Sequence, residues 1–268
     1  MLVDTKCGRL FVEVRGQGPD LVLWHSLLCD SGMWRRQRVA FEEHYRVVAI
    51  DAPGHGRSGN VRSPFTMDDC VDAAVQVLDA VGIESAAWVG LSWGGMVGMR
   101  LAARHPARVS ALVLLDTSAR PERTLKRLAY RPLQVIASRI GAVRPLAKAL
   151  TPIFFSPHTL RSEPDIVDSF VRTLTRMDPE SIGQAVEAVI YTRGDFTPEL
   201  SQIGAPTLVI VGIDDRATPP DEAEHIAARV PGAGLVRIPD AGHLSALEQP
   251  ERVNAAILSF LAEGAKSA

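Results

Sequence analysis

A serine lies between two glycines where a predicted strand meets a predicted helix. The motif Gly90-Leu91-Ser92-Trp93-Gly94 follows an apolar run and precedes a helical pattern that ends near Arg104. A strand that turns sharply into a helix forces the central residue into a strained conformation, and flanking glycines leave room for the backbone. Ser92 is therefore predicted at the tip of the turn, beside free N–H groups that could stabilise an oxyanion. This is the setting of a nucleophile.

A serine hydroxyl is a weak nucleophile at neutral pH and needs a histidine to accept its proton. When the serine sits on such a turn, the acid and the histidine follow it in that order, each after a strand. His243 follows the predicted strand Leu235 to Ile238 and is the predicted base. Surface or structural roles are expected for the other histidines considered, which are His44, His105, His158 and His225.

The acid that orients the histidine has three candidates. Asp214 and Asp215 are adjacent and follow the predicted strand Thr207 to Val211, and only one of them can face the histidine. Asp116, at the end of the earlier strand, is a weaker candidate. The order along the chain alone leaves the two adjacent aspartates open.

Two backbone amides are predicted to bind the oxyanion of an acyl-transfer reaction. One is the N–H of Trp93, directly after the nucleophile, and the other comes from the loop that follows the third strand. That loop is His25-Ser26-Leu27-Leu28, and Leu27 is the predicted donor. The side chains at these two positions carry little information because the backbone does the work.

The elements that hold these residues alternate between short buried strands and helices. Gly8 to Val14 has the alternating pattern of an exposed strand in an antiparallel opening hairpin, ended by a turn at residues 16–19. Nearly all-apolar runs typical of parallel strands occur at Leu21 to Trp24, Val47 to Ile50, Ala86 to Val89 and Val109 to Leu115. Helical patterns lie between them, and Thr66 with Asp69 predicts a capping box. The alternation predicts a mostly parallel, doubly wound α/β sheet.

A helical insertion is predicted between two strands of that sheet. Residues 120–199 contain helical stretches interrupted by prolines at 132, 145, 152, 157, 164 and 179. We therefore expect a core domain of residues 1–119 and 200–268, with residues 120–199 as a helical lid over Ser92. Candidate pocket residues are the large apolar side chains near these segments, Leu28, Trp34, Tyr130, Phe154, Phe155 and Leu244.

Composition and charge narrow the classes of partner. The 29 Lys and Arg nearly balance the 31 Asp and Glu, so net charge predicts neither nucleic acid nor a membrane surface as a partner. The N-terminus lacks a signal-peptide pattern, which favours a cytoplasmic location. Three scattered cysteines predict neither a disulfide framework nor a metal site. A small, near-neutral molecule is the expected partner, and oligomeric state stays open.

The motifs together resemble those of the α/β-hydrolase superfamily over nearly the whole chain, least in the lid. Besides the serine motif, Asp51 to Ser58 resembles the family's D-x-x-G-x-G-x-S loop, and Ala241-Gly242-His243 resembles its histidine loop. The runs around His25, Ser92 and Asp215 look most like the 3-oxoadipate enol-lactonase group of lactonases and carboxylesterases. The resemblance selects Asp215 as the acid. Most relatives carry glycine at the position of Ser26. Some enol-lactonases carry serine there, as this chain does.

The predicted activity is hydrolysis of a small carboxylic ester or lactone through an acyl-enzyme on Ser92, without metal or organic cofactor. Two alternatives use the same residues. A ligand sensor could keep the three residues and signal through its lid, and a cofactor-free perhydrolase could use the same serine with peroxide.

Overall fold

The computed structural model describes residues 1–267, with side chains as far as residue 263. One eight-stranded sheet runs through the chain in the order β1-β2-β4-β3-β5-β6-β7-β8. The strands are β1 (Leu2–Thr5), β2 (Gly8–Arg15), β3 (Asp20–Trp24), β4 (Arg46–Ile50), β5 (Ala86–Leu91), β6 (Val109–Leu115), β7 (Thr207–Gly212) and β8 (Gly234–Ile238). Strands β3 to β8 are parallel, and β2 is antiparallel to both of its neighbours. The predicted mostly parallel sheet is confirmed.

The opening hairpin is formed differently from the prediction. Strand β2 pairs antiparallel with β1, which precedes it, and on its other side with β4. The turn at residues 16–19 therefore leads into a strand that is not a neighbour of β2. Local turn residues predict a change of direction, whereas the pairing of β3 between β4 and β5 depends on burial of the whole parallel sheet.

The α-helices lie in the chain segments between the strands and after β8. They are α1 (Arg35–Phe41), α2 (Met67–Ala80), α3 (Trp93–Arg104), α4 (Thr124–Ile140), α5 (Arg144–Phe154), α6 (Pro157–Ser162), α7 (Pro164–Thr175), α8 (Pro179–Val186), α9 (Pro220–Ala227), α10 (Ser245–Glu248) and α11 (Pro250–Ser267). The predicted capping box begins α2, with Thr66 and Asp69 each accepting from the other's backbone N–H. None of the described helices meets the length and hydrophobicity needed to cross a bilayer.

Five helices, α4 to α8, lie between β6 and β7, and two of the prolines there do not interrupt a helix as predicted. Pro132 lies inside α4 and Pro152 inside α5, whereas the other four stand in the first turn of a helix. Thr151 Oγ1 donates to the Lys148 carbonyl at 2.9 Å, a group that Pro152 cannot bond because it lacks an N–H. A side-chain donor thus compensates for one of the two internal prolines.

Tryptophans fill the core beneath the serine turn. The rings of Trp24 on β3 and Trp88 on β5 stack with centroids 5.8 Å apart, and Trp93 meets Trp24 edge-on at 6.1 Å. Trp88 Nε1 donates to the carbonyl of Gly94 in the first turn of α3 at 3.0 Å. The buried strands therefore fix the start of the helix that follows Ser92.

Candidate active site

Ser92 occupies a strained turn between β5 and α3. Its φ of 53° lies in the left-handed region, which few non-glycine residues adopt. Its N–H donates to the Leu115 carbonyl at 2.8 Å, and its own carbonyl accepts from Thr117 Oγ1 at 2.7 Å. These bonds from the end of β6 and the residues after it hold the strained conformation in place.

The glycines of the motif are required by close approach of the backbone. A Cβ on Gly90 would lie 2.2 Å from the carbonyl oxygen of Gly94. A Cβ on Gly94 would lie 2.1 Å from the carbonyl oxygen of Trp24. Real Cβ atoms do not approach backbone atoms so closely, so the turn admits only glycine at both positions. Sequence reasoning identified this requirement from the motif alone.

His243 and Asp215 are hydrogen-bonded to each other. Nδ1 of His243 lies 2.9 Å from Oδ2 and 3.1 Å from Oδ1 of Asp215, and both residues are buried. Asp215 also accepts from the N–H groups of Ala217 at 2.8 Å and Thr218 at 3.0 Å, and from Thr218 Oγ1 at 2.9 Å. The carboxylate is thus held by its own loop, and His243 and Ser92 line the same cavity.

The two other candidate aspartates have different surroundings. Asp214 is partly exposed, and its N–H donates to the Ala241 carbonyl at 2.9 Å. Asp116 is buried with a φ of 46°, and its carboxylate accepts from Gly212 N–H at 2.8 Å and from the N–H and hydroxyl of Ser245. Asp116 therefore joins the end of β7 to the start of α10. The sequence pointed to Asp116 because it lies at the end of a strand. Nothing in the sequence indicated its hydrogen-bond partners.

Two buried histidines shape the loop that contains Leu27. His25 Nε2 accepts from Ala52 N–H at 2.8 Å, and His55 Nε2 accepts from Leu28 N–H at 3.2 Å. Burial lowers the pKa of both imidazoles, that of His55 to about 3, so both are neutral acceptors at physiological pH. Leu28 has a φ of 64° and Leu27 lines the cavity. His55 was noted in the sequence only as part of the family's loop.

Glu248 stabilises the loop that carries His243. Its carboxylate accepts from Gly242 N–H and from Ser156 N–H, each at 2.8 Å. Burial raises the pKa of this carboxyl, and the backbone donors oppose that effect. A Glu near the start of the last helix carries no sequence signal for this role, because the contact forms only when the chain folds.

A cavity of about 130 Å³ opens beside Ser92 and His243. Leu28, Tyr130 and Phe154 line it, as expected. Trp34, Phe155 and Leu244 do not line it and are fully buried in the core. Sequence reasoning did not select ten further apolar residues of the wall, which lie on α4, α5, α7, α8 and the turn after α8: Leu133, Ala137, Leu146, Leu150, Ile153, Leu174, Ile182, Val186, Val189 and Ile190.

Besides Ser92 and His243, the described residues place one charged pair in the cavity wall. Glu122 and Arg193 approach to 3.8 Å, and both side chains are almost fully buried. Arg193 also donates to the carbonyls of Arg120 at 3.0 Å and Val189 at 3.1 Å. Burial lowers the pKa of Arg193 and the nearby Glu122 opposes that effect. The guanidinium is therefore compensated within the chain, and the rest of the wall is mainly uncharged.

Comparison with known proteins gives a consistent picture. Residues 19–250 match the family described as the α/β hydrolase fold. The chain is 28% identical to 3-oxoadipate enol-lactonase 2 of Acinetobacter baylyi, over 89% of this chain and 87% of that protein. A thermophilic esterase from Thermogutta terrifontis superimposes with a TM-score of 0.92, 31% identity and 98% coverage of each chain.

The enol-lactonase from Burkholderia xenovorans superimposes with a TM-score of 0.90 and 29% identity, covering 98% of this chain and all of that one. The similarity therefore extends over both the sheet and the helices between β6 and β7. The chain belongs to the α/β-hydrolase family.

Proposed function

We propose that this chain hydrolyses a small carboxylic ester or lactone through an acyl-enzyme on Ser92. The observation that carries the proposal is the contact of 2.9 Å between His243 Nδ1 and the buried carboxylate of Asp215, beside a cavity that also contains the strained Ser92. A carboxylate on Nδ1 fixes the tautomer in which Nε2 is free to accept a proton. Similarity to an esterase and to enol-lactonases supports the same reaction class.

In the first half-reaction, Ser92 Oγ attacks the carbonyl carbon and His243 Nε2 takes the hydroxyl proton. The carbonyl oxygen becomes an oxyanion, for which we assign the N–H groups of Trp93 and Leu27 as donors. Trp93 is the first residue of α3, where N–H groups have no partner within the helix. The tetrahedral intermediate then expels the alkoxide, which receives the proton from His243.

In the second half-reaction, water attacks the acyl carbon while His243 again accepts a proton. Collapse of the second intermediate breaks the bond to Ser92 Oγ, which recovers its proton, and the carboxylic acid is released. The carboxylate of Asp215 stabilises the imidazolium that forms in each half-reaction. A lactone follows the same steps, except that the alcohol and the acid remain in one product molecule.

We assign residues 120–199 as a lid over this site, because helices from this segment supply most of the apolar wall. An enclosed apolar wall excludes water from the acyl group and strengthens the electrostatic interactions of the site. An uncharged acyl group suits this wall, because Arg193 already faces Glu122. The proposed substrates are therefore esters or lactones with a small, uncharged and largely apolar acyl part.

The test is turnover of short p-nitrophenyl esters by the purified chain and by Ser92→Ala. We expect the wild type to release nitrophenol and to show an acyl adduct by intact-mass spectrometry under rapid quench. Ser92→Ala should lose both signals while its thermal unfolding is unchanged. Turnover that survives Ser92→Ala in a contaminant-free preparation would reject the proposal. An adduct that forms without turnover would instead support a sensor.

A further inference from the structure

One helix between β6 and β7 exposes an apolar face to solvent. Helix α4 exposes Leu125 (82%), Leu128 (67%) and Ile140 (64%), together with Val135 and Ile136. With Val143 just beyond the helix, this short stretch holds six of the ten exposed large hydrophobic side chains in the part of the chain that the structure describes. Single exposed apolar residues are ordinary, but a contiguous group marks a contact surface.

These residues form one continuous stripe. Leu125, Leu128, Pro132, Ile136 and Ile140 follow one another at spacings of three or four, which places them on the same side of a helix. The opposite side of α4 contributes Tyr130, Leu133, Gln134 and Ala137 to the wall of the cavity beside Ser92. The helix therefore has two apolar sides, one toward the cavity and one toward solvent. We call the solvent-facing side the outer face of α4.

The charged residues of the chain segment that carries the outer face are all of one sign. Residues 123–148 contain seven Lys and Arg and no Asp or Glu. Of the 29 Lys and Arg in the chain, this leaves 22 elsewhere against all 31 Asp and Glu. A chain that is nearly neutral as a whole thus carries a local excess of positive charge on and beside α4 and the start of α5.

Three of those seven cations are compensated by acids from neighbouring elements. Arg123 pairs with Asp221 at 3.0 Å, Arg131 with Glu187 at 2.7 Å and Arg144 with Asp168 at 3.3 Å. The other four make no ion pair within the described residues: Lys126, Arg127, Arg139 and Lys148. Of these, Lys126 donates to the carbonyls of Arg216 and Ala217, which leaves its charge uncompensated. Arg139 stands exposed within the stripe itself.

We propose that the outer face of α4 docks on an anionic lipid surface. An amphipathic helix with an apolar face and flanking Lys and Arg lies in the plane of a membrane interface, where acyl chains cover the apolar residues and headgroups meet the cations. A second copy packed through the same face would bring two sets of uncompensated cations together without an acid to separate them. The charge distribution therefore favours the lipid surface, although net charge had predicted no such partner.

The first experiment is co-sedimentation of the full chain with vesicles. We expect binding to phosphatidylcholine vesicles that contain phosphatidylglycerol and little binding to phosphatidylcholine alone. Binding should weaken by about 10-fold or more when salt is raised to about 0.5 M, because screening removes the attraction between headgroups and cations. Equal binding to both kinds of vesicle, or no binding to either, would overturn the proposal.

Variants then locate the surface. Leu128→Gln/Ile136→Gln removes apolar area from the outer face and should weaken binding by about 10-fold or more. The matched control is Val39→Gln on α1, which changes a side chain that is 69% exposed outside this face and should leave binding unchanged. A loss of binding in the control equal to that in the double variant would reject the assignment to α4.

A second variant protects the test against misfolding. Arg139→Gln/Lys148→Gln keeps the apolar stripe and removes two uncompensated cations, so binding to anionic vesicles should fall while the thermal unfolding temperature is retained. Sedimentation equilibrium without lipid supplies the remaining contrast. The proposal would be overturned if the chain did not bind vesicles but formed a dimer that Leu128→Gln/Ile136→Gln dissociates. That result would assign the outer face to a second copy of the chain.

Discussion

Asp215 and His243 meet through a contact of 2.9 Å between Oδ2 and Nδ1, whereas the neighbouring Asp214 is partly exposed on the same loop. One residue of register separates a buried carboxylate from a turn residue. This difference gives the two adjacent aspartates different expected roles, which substitution can separate.

Asp215→Asn should lower kcat by about 10⁴-fold, as happens when an Asn in this position favours the wrong histidine tautomer. KM should change little, because the carboxylate acts on the transition state. Asp214→Asn is the matched control and should cost at most a few-fold, since Asn makes the same turn contacts. Steady-state kinetics with a soluble ester measures both, and the reverse order of effects would place the acid at 214.

Asp116 should act on stability more than on turnover. Asp116→Ala removes the acceptor for Gly212 N–H and for the N–H and hydroxyl of Ser245, all of them buried. Leaving buried donors unsatisfied and opening a cavity should lower the free energy of unfolding by about 3 kcal/mol. Urea unfolding checks this value. A loss of kcat as large as that of Asp215→Asn, with stability retained, would make Asp116 a participant in the reaction.

Gly94→Ala should prevent the serine turn from forming as it does in the structure. The added Cβ would meet the carbonyl oxygen of Trp24 at 2.1 Å, and neither backbone can move without disturbing the sheet. We expect a loss of about 3 kcal/mol or more in unfolding free energy, or no folded protein. Gly204→Ala is the control, because nothing lies within 4 Å of its added Cβ, and should change stability by about 0.5 kcal/mol or less. Similar effects of the two changes would contradict this account.

Stability should fall as the pH is lowered from 6.5 toward 5. Burial lowers the pKa of His25 and His55 in the folded chain below the ordinary value of 6.5, that of His55 to about 3. Between the folded and unfolded values the unfolded chain binds more protons, so acid favours unfolding, by up to about 1.4 kcal/mol per pH unit for each histidine. The effect of burial on Glu13 is outweighed by its arginine partners, which lower its pKa to about 2. Acids of this kind affect the pH dependence of stability only below the window from 6.5 to 5.

Urea unfolding at several pH values measures this slope, and His55→Asn identifies its source. The amide does not titrate, so the slope between pH 6.5 and 5 should be shallower in the variant, whatever its stability at neutral pH. An unchanged slope in His55→Asn would show that this histidine is not the group that takes up the proton.

The sequence by itself determined the features that depend on a few neighbouring residues. The apolar runs became strands β3 to β8 within one or two residues, and the capping box at Thr66 formed as predicted. The glycines around Ser92 indicated a tight turn in the sequence, and Gly90 avoids a clash with the adjoining helix, although the clash that Gly94 avoids is with Trp24 on the distant strand β3. Local sterics and hydrogen bonding act over short distances, so their traces are readable along the chain.

Tertiary structure decided the rest, because contacts between distant segments leave no local pattern. The family resemblance selected Asp215 over Asp214, but only the folded chain brings that carboxylate to the loop after β8, and the pairing of β2 depends on the whole sheet. Most of the apolar cavity wall comes from α4, α5, α7, α8 and the turn after α8, whose apolar sides face one cavity only in the folded chain. The sequence shows that α4 is apolar, but only the folded structure shows which of its two sides is buried and which is exposed. Burial is a property of the folded chain, and it distinguishes an apolar residue of the core from an apolar residue on a binding surface.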